Sequence, residues 1–467
     1  MFRLYLTFQN PNFGSDDAYF NARIIETITE TKTPFLYDEL SYGGREFLFP
    51  QLFHYILSVF SFIPYFMKII PEIFITSLTM LTYLIAKKLT KDEVVALITA
   101  LLMSFSPALI NTTLNQVSIY TIALPVMFLM FWALLDLNAK HALSVFVVGS
   151  FVLPLLHPIS FLFALALLFY LILSISESVK LDSLTKEAGI FSFFLIILIN
   201  FIIYKKAFLS YGVNIIWQNI PIQLLIEQFQ IPSVGDAMYL IGFIPLVLGS
   251  LGIFFGFSKE KKKESILLVS PLLTVLLLLL LGMININIGL LFLSVILILM
   301  ASLSIEKIIK YVEITKLHKL KHLFIALGIL VIVVLVVIPA FFSTTTIITP
   351  FEASTLEFLK TTTPEDTTII APVSQGHLIT YLAKRKNVAD TNFILAPNAE
   401  QRLTEIKTAY TTISESKALE IFRRYDVDYI FLSRQAQNQY NIRRPIYLDD
   451  GTCFKQKRST VYEIVCK

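Results

Sequence analysis

The sequence predicts a polytopic α-helical membrane protein with a small α/β domain at its C-terminal end. Three observations carry that reading. Of the 467 residues 55% are hydrophobic and only 15% charged, and mean hydropathy is +0.71. The apolar residues fall into runs long enough to cross a bilayer core of about 30 Å. From Pro350 onward the pattern changes, and short β-rich stretches alternate with amphipathic ones as in a soluble domain. The net charge of +4 sits mostly in short loops, so it reports on topology and argues against a nucleic-acid surface.

The first polar stretch, Gly14-Ser15-Asp16-Asp17-Ala18-Tyr19-Phe20, sets adjacent carboxylates ahead of an amphipathic run from Asn21 to Thr31 that carries Arg23 and Glu26. Ser15 is suited to cap that helix. Charges beside a hydrocarbon body are costly unless they bind something, so the stretch is a candidate site. Residues 50–66 are apolar but hold Pro50, Gln51, His54 and Pro64, which suits a helix lying at the membrane interface.

The next runs are 70–87, 92–109, 117–136, 142–174, 188–208, 237–257, 265–283, 285–304 and 322–343. The run 142–174 is too long for one span, and His157-Pro158 divides it in two. Basic clusters stand at Lys87-Lys88-Lys91, Lys140-His141, Lys180 with Lys186, Lys259 to Lys263, and Lys307 through His322. With about ten spans every cluster falls on one side, the cytoplasmic side by the positive-inside rule. The expected layout is an extracytoplasmic acidic loop and interfacial helix over 1–69, a membrane domain over 70–343, and an extracytoplasmic α/β domain over 344–467.

In that last domain Thr367 to Pro372 and Val427 to Leu432 read as strands, and Gly376 to Lys386 and Ser416 to Tyr425 as helices. Cys453 and Cys466 flank a strand-like Thr460 to Val465, and an oxidising compartment would let them pair.

The outer stretch SDDAYFNARIIETI…GGREFLFPQLFHYIL resembles the first external loop of class C membrane glycosyltransferases, most closely the oligosaccharyltransferase catalytic subunits. The tail phrase APVSQGHLITYLAKRKNVADTNF is similar to the part of that family where Trp-Trp-Asp-Tyr-Gly precedes a helix; Gly376, Arg385, Ala389 and Asp390 keep the frame. The resemblance implies catalytic carboxylates at Asp17 and Asp16, and a divalent metal (Mg or Mn) on Asp17 and Glu227. It places Arg23, Arg45 and Gly376 at bound substrate, since arginine suits phosphate. It implies as partners the membrane lipid, a polyprenyl- or dolichyl-phosphate-linked sugar, and an acceptor protein or glycan.

The sequence departs from the family in four places. Pro372-Val373-Ser374-Gln375 replaces the aromatic-acidic motif, and Gln116-Val117-Ser118 stands where a second acidic motif is expected. Leu291 stands where an arginine would meet pyrophosphate, and of the span ahead of the acidic loop only Met1 to Pro11 is here. Two expectations follow: a glycosyltransferase with an unusual donor or acceptor, or a non-catalytic relative that binds lipid-linked glycan or scaffolds another enzyme. A transporter is third, lacking inverted repeats and charged mid-span residues.

Overall fold

The computed structural model describes all residues except 218–219, 229–231, 258–261, 316–320, 342–346, 450 and 467, and omits the side chains of 217, 222, 227–228, 321–322, 324 and 341. The chain opens with α1 (Phe2–Gln9) and α2 (Asp16–Thr31), then a short antiparallel pair, β1 (Tyr37–Asp38) with β2 (Arg45–Glu46). The interfacial candidate is α3 (Leu52–Ser58), whose seven residues are far too few to cross a bilayer.

The membrane body follows: α4 (Phe66–Thr90), α5 (Glu93–Ser104), α6 (Pro107–Thr113), α7 (Tyr120–Leu134), α8 (Ala142–Leu156), α9 (Ser160–Ser176) and α10 (Ser183–Tyr211). Then come α11 (Ile222–Gln228), α12 (Val234–Ile241), α13 (Phe243–Gly256), α14 (Lys262–Leu280), α15 (Ile286–Ile314), α16 (Lys321–Ile332) and α17 (Ile338–Phe341). Among the described residues four of these helices are long and apolar enough to span alone, six spans result if two bent pairs each count once, and four shorter apolar helices accompany them. The chain is thus a multi-pass membrane protein.

The breaks have local causes. The expected run 92–109 bends by 44° where Ser106 caps α6 and Pro107 takes its first turn. The run 237–257 bends by 75° at Gly242, whose φ of 90° is a glycine conformation. At the centre, α15 is buried along nearly all its length against α13, α14 and α5. A Cβ at Gly252 of α13 would strike the Met300 carbonyl, so glycine there lets two backbones meet.

The two ends of the body differ. At one end Lys88 reaches Asp136 at 3.9 Å, Lys262 reaches Glu177 at 2.7 Å and Lys263 reaches Asp182 at 3.3 Å, which gathers four loops carrying basic clusters. At the other end Glu72 of α4 binds Arg3 at 2.6 Å, and Lys206 of α10 pairs with Glu46. The acidic loop therefore lies opposite the basic loops.

The tail contains α18 (Pro350–Thr362), β3 (Thr368–Ile370), α19 (Gly376–Leu378), β4 (Lys386–Asn387), α20 (Ala399–Thr411), α21 (Glu415–Arg424), β5 (Tyr429–Phe431), α22 (Arg434–Tyr440), β6 (Phe454–Arg458) and β7 (Val461–Ile464). Its five-stranded sheet has the order β4-β3-β5-β7-β6; β3 runs parallel to both β4 and β5, while β7 is antiparallel to β5 and β6. The helix expected over Gly376 to Lys386 is shorter: α19 passes into a wide turn, Ile379–Ala383, which ends at Lys384 with φ of 49°. Cys453 and Cys466 form a disulfide across the terminal hairpin. One apolar cluster joins Ala18, Tyr19, Ile25 and Phe53 of the loop to Leu356, Ile369, Leu378 and Phe431 of the tail, so loop and tail share a core.

A candidate active site where the acidic loop meets the tail

The site forms at the N-terminus of α2. Ser15, extended at φ −146° and ψ 157°, accepts the Ala18 N–H at 3.3 Å and donates to Gln116 Oε1 at 3.0 Å. That cap turns the two following carboxylates in different directions. Asp16 points inward, is buried, and accepts the N–H of Leu378 at 2.8 Å and of His377 at 3.2 Å. Burial, helped by the neighbouring charges of Asp17 and Asp390, pushes its carboxyl well above the usual range against the pull of those two N–H donors.

Asp17 points outward and is exposed, with the Thr391 hydroxyl donating to its Oδ1 at 3.3 Å. Its charge acts on the Tyr120 phenol and on His377. An exposed carboxylate at a helix N-terminus, bordered by hydroxyls, is equipped to take a proton or orient a polar acceptor.

Behind this carboxylate lies a buried clasp. Asp390 pairs with Arg45 at 3.0 Å, accepts the Ser41 hydroxyl at 2.6 Å and the Asn387 amide at 3.1 Å, and has His377 Nε2 at 3.7 Å. Burial alone would raise the Asp390 carboxyl; His377, Arg45, Ser41 and Asn387 together overcome it and hold it down at about 2. Tyr42 donates to the Asp390 carbonyl at 2.7 Å. The clasp thus fastens the β1–β2 turn onto the tail beside Asp17.

Several sequence expectations are corrected. Asp16 is no free catalytic base, because its carboxylate is taken up by two backbone donors. Arg23 forms a bidentate buried pair with Asp38, with Nη1–Oδ1 at 2.8 Å, and Arg45 is sandwiched by the Tyr42 and Phe47 rings at 4.6 and 4.4 Å as it binds Asp390. Both guanidinium groups hold the loop together where phosphate contact was expected. Gly376 serves packing: a Cβ there would lie 2.7 Å from Asp390 Cα, so only glycine admits the Ala389–Asp390 backbone behind it. Glu26 accepts from Tyr381 at 2.8 Å. His54 is enclosed by Phe20, Phe49 and Phe53, donates to Asn21 at 2.8 Å, and is lowered by burial to about 3, so it is a neutral packing residue. The side chain of Glu227 lies outside the described residues.

Sequence reasoning missed His377 and Thr391 at the site. They stand beside Gly376 and Asp390 of the quoted tail phrase, and the folded tail brings both to α2. Among the described residues no three Asp, Glu, His or Cys side chains converge as metal ligands. Asp17 with the Thr391 hydroxyl falls short of the oxygen set a hard divalent cation takes, since Gln116 Oε1 already serves Ser15.

The chain thus has a helical membrane body whose first loop packs on an α/β tail, with an exposed carboxylate at their junction. No family model and no curated protein matches the chain. Among solved structures it is similar to the oligosaccharyltransferase of Archaeoglobus fulgidus, with a TM-score of 0.70 at 14% identity over 92% of this chain and 68% of that one. The archaeal protein AglB in complex with an inhibitory peptide and a dolichol-phosphate gives 0.65 at 14% identity, over 90% of this chain and 65% of that one. The Archaeoglobus fulgidus oligosaccharyltransferase in complex with Zn and sulfate gives 0.63 at 15% identity, over 95% of this chain and 67% of that one. ArnT from Cupriavidus metallidurans bound to undecaprenyl phosphate gives 0.54 at 11% identity, over 100% of this chain and 97% of that one. At these identities the likeness is one of fold.

Proposed function

We propose that the chain is a membrane glycosyltransferase that moves a sugar or glycan from a polyprenyl- or dolichyl-phosphate-linked donor to an acceptor on the extracytoplasmic face. The observation that carries this is Asp17, an exposed carboxylate at the junction of membrane body and tail, in a fold whose solved examples hold dolichol-phosphate and undecaprenyl phosphate. In this reading Asp17 takes the proton of an acceptor hydroxyl or amide as that atom bonds to the sugar C1. The bond from C1 to the phosphate oxygen breaks, and its electron pair leaves on the polyprenyl phosphate. Thr391 orients Asp17, and Asp16 positions it by fixing the first turn of α2 on residues 377 and 378.

The reading includes the finer topology: about ten spans, domains over 1–69, 70–343 and 344–467, and loop and tail both outside the cytoplasm. A divalent cation, Mg²⁺ or Mn²⁺, would need Glu227 beside Asp17, and no step here depends on it. Glycan binding without catalysis is the second reading, favoured by the neutral Gln116 at the position of the second acidic motif. The test is incubation of purified protein in nanodiscs with labelled polyprenyl-phosphate and polyprenyl-diphosphate sugars. Donor consumption with appearance of polyprenyl phosphate is expected; tight donor binding with no turnover on any acceptor would favour the second reading.

A further inference from the structure

Tyr120 and His157 form a second polar face at this site that the chemistry above does not use. His157 stands extended in the break between α8 and α9, at φ −161° and ψ 146°. Leu156, just before it, lies in the same apolar cluster as Ala18, Tyr19 and Ile122, which ties the break to the acidic end of the body. The Ile159 N–H donates to His157 Nδ1 at 3.0 Å. A ring nitrogen that accepts this bond carries no proton, so the imidazole is neutral and its proton sits on Nε2. The ring leans on Tyr120 at 5.2 Å between centroids, and Tyr120 opens α7 three residues after Val117, whose carbonyl accepts the Asn21 side-chain amide of α2 at 2.7 Å. Both side chains are half-buried, so neither is sealed in the core.

The end of α7 that meets α2 therefore carries an O–H donor and, next to it, an imidazole locked as an N–H donor. A neutral imidazole whose Nδ1 is occupied is no base; it can only donate. The partner it fits is an oxygen that gains negative charge, as the phosphate oxygen does when its bond to the sugar C1 breaks. We propose that Tyr120 and His157 donate hydrogen bonds to the phosphate oxygens of the lipid-linked donor and steady the departing phosphate, the proton remaining on Nε2. This rests on the glycosyl-transfer reading and deepens it. Two neutral donors match the single charge of a monophosphate-linked donor, whereas a diphosphate calls for a cation or guanidinium.

The test measures binding of undecaprenyl phosphate and undecaprenyl diphosphate to nanodisc-embedded protein by native mass spectrometry, which needs no acceptor and no turnover. Wild type is expected to prefer the monophosphate. Tyr120→Phe and His157→Leu should each weaken monophosphate binding about tenfold, the loss expected for a hydrogen bond to a charged group. His157→Gln, which keeps an N–H donor, should recover most of the affinity. Thermal melting checks folding; if His157→Leu melts early, the comparison rests on Tyr120→Phe and His157→Gln. Undiminished binding by Tyr120→Phe and the folded His157 variants overturns this assignment while leaving glycosyl transfer in place. Absence of polyprenyl phosphate binding by wild type overturns both.

Discussion

Two adjacent carboxylates take opposite fates because one turn of helix aims them apart. Asp16→Asn removes a buried acceptor whose oxygens hold two N–H groups, so it should cost about 1–3 kcal/mol of stability, read by denaturation, with transfer per folded molecule largely kept. The pH behaviour separates the buried acids by sign. Asp390 is held at about 2, below its ordinary 3.8, so it stabilises the fold above pH 4, and that stability is lost as pH falls through about 2. Asp16 is raised, so it works the other way and weakens the fold as pH rises from about 3.8 toward its folded value. Melting curves between pH 2 and 5 should therefore lose their acid limb in Asp390→Asn and steepen in Asp16→Asn. The Asp17 position was legible in the sequence, since the Ser-Asp-Asp-Ala-Tyr order sets the capped turn. The inward turn of Asp16 was not, because its donors lie in the tail and only the folded chain brings them near.

At the scale of elements, the clasp and the terminal hairpin keep the tail in place. Arg45→Ala would leave Asp390 charged, buried and unpaired, and should cost about 3–5 kcal/mol with loss of tail docking, visible as protease sensitivity between residues 344 and 400. Cys453→Ser should cost roughly 3 kcal/mol, and wild type should fall to the same melting point in reductant. Most elements are readable in the sequence: capped α2, the split at His157-Pro158, and the strands around Ile369 and Ile430 follow from periodicity and breakers. The arginines show where such reading stops. Arg23 and Arg45 look like phosphate ligands beside a membrane, yet their partners Asp38 and Asp390 are chosen by the fold of a turn and of a domain far along the chain. Likewise the loss of residues 384–386 from a helix follows from the Lys384 backbone and β4 pairing, which a local pattern does not encode.

For the whole molecule, loop and tail on one side and basic loops on the other make a single testable topology. An impermeant thiol reagent should label Glu39→Cys in intact cells and spare Lys140→Cys; labelling of Lys140→Cys alone would invert the membrane orientation. The central claim is that Asp17 carries glycosyl transfer from a lipid-linked donor. Single-turnover transfer from a labelled polyprenyl-phosphate sugar, compared between wild type and Asp17→Asn in nanodiscs, tests it most directly. Asparagine keeps the size and hydrogen bonding and removes only the charge of an exposed residue, so folding and donor binding should be unchanged. The expected result is a fall in the transfer rate of at least about a hundredfold. Transfer at the wild-type rate by folded Asp17→Asn protein would contradict the account and place the chemistry elsewhere.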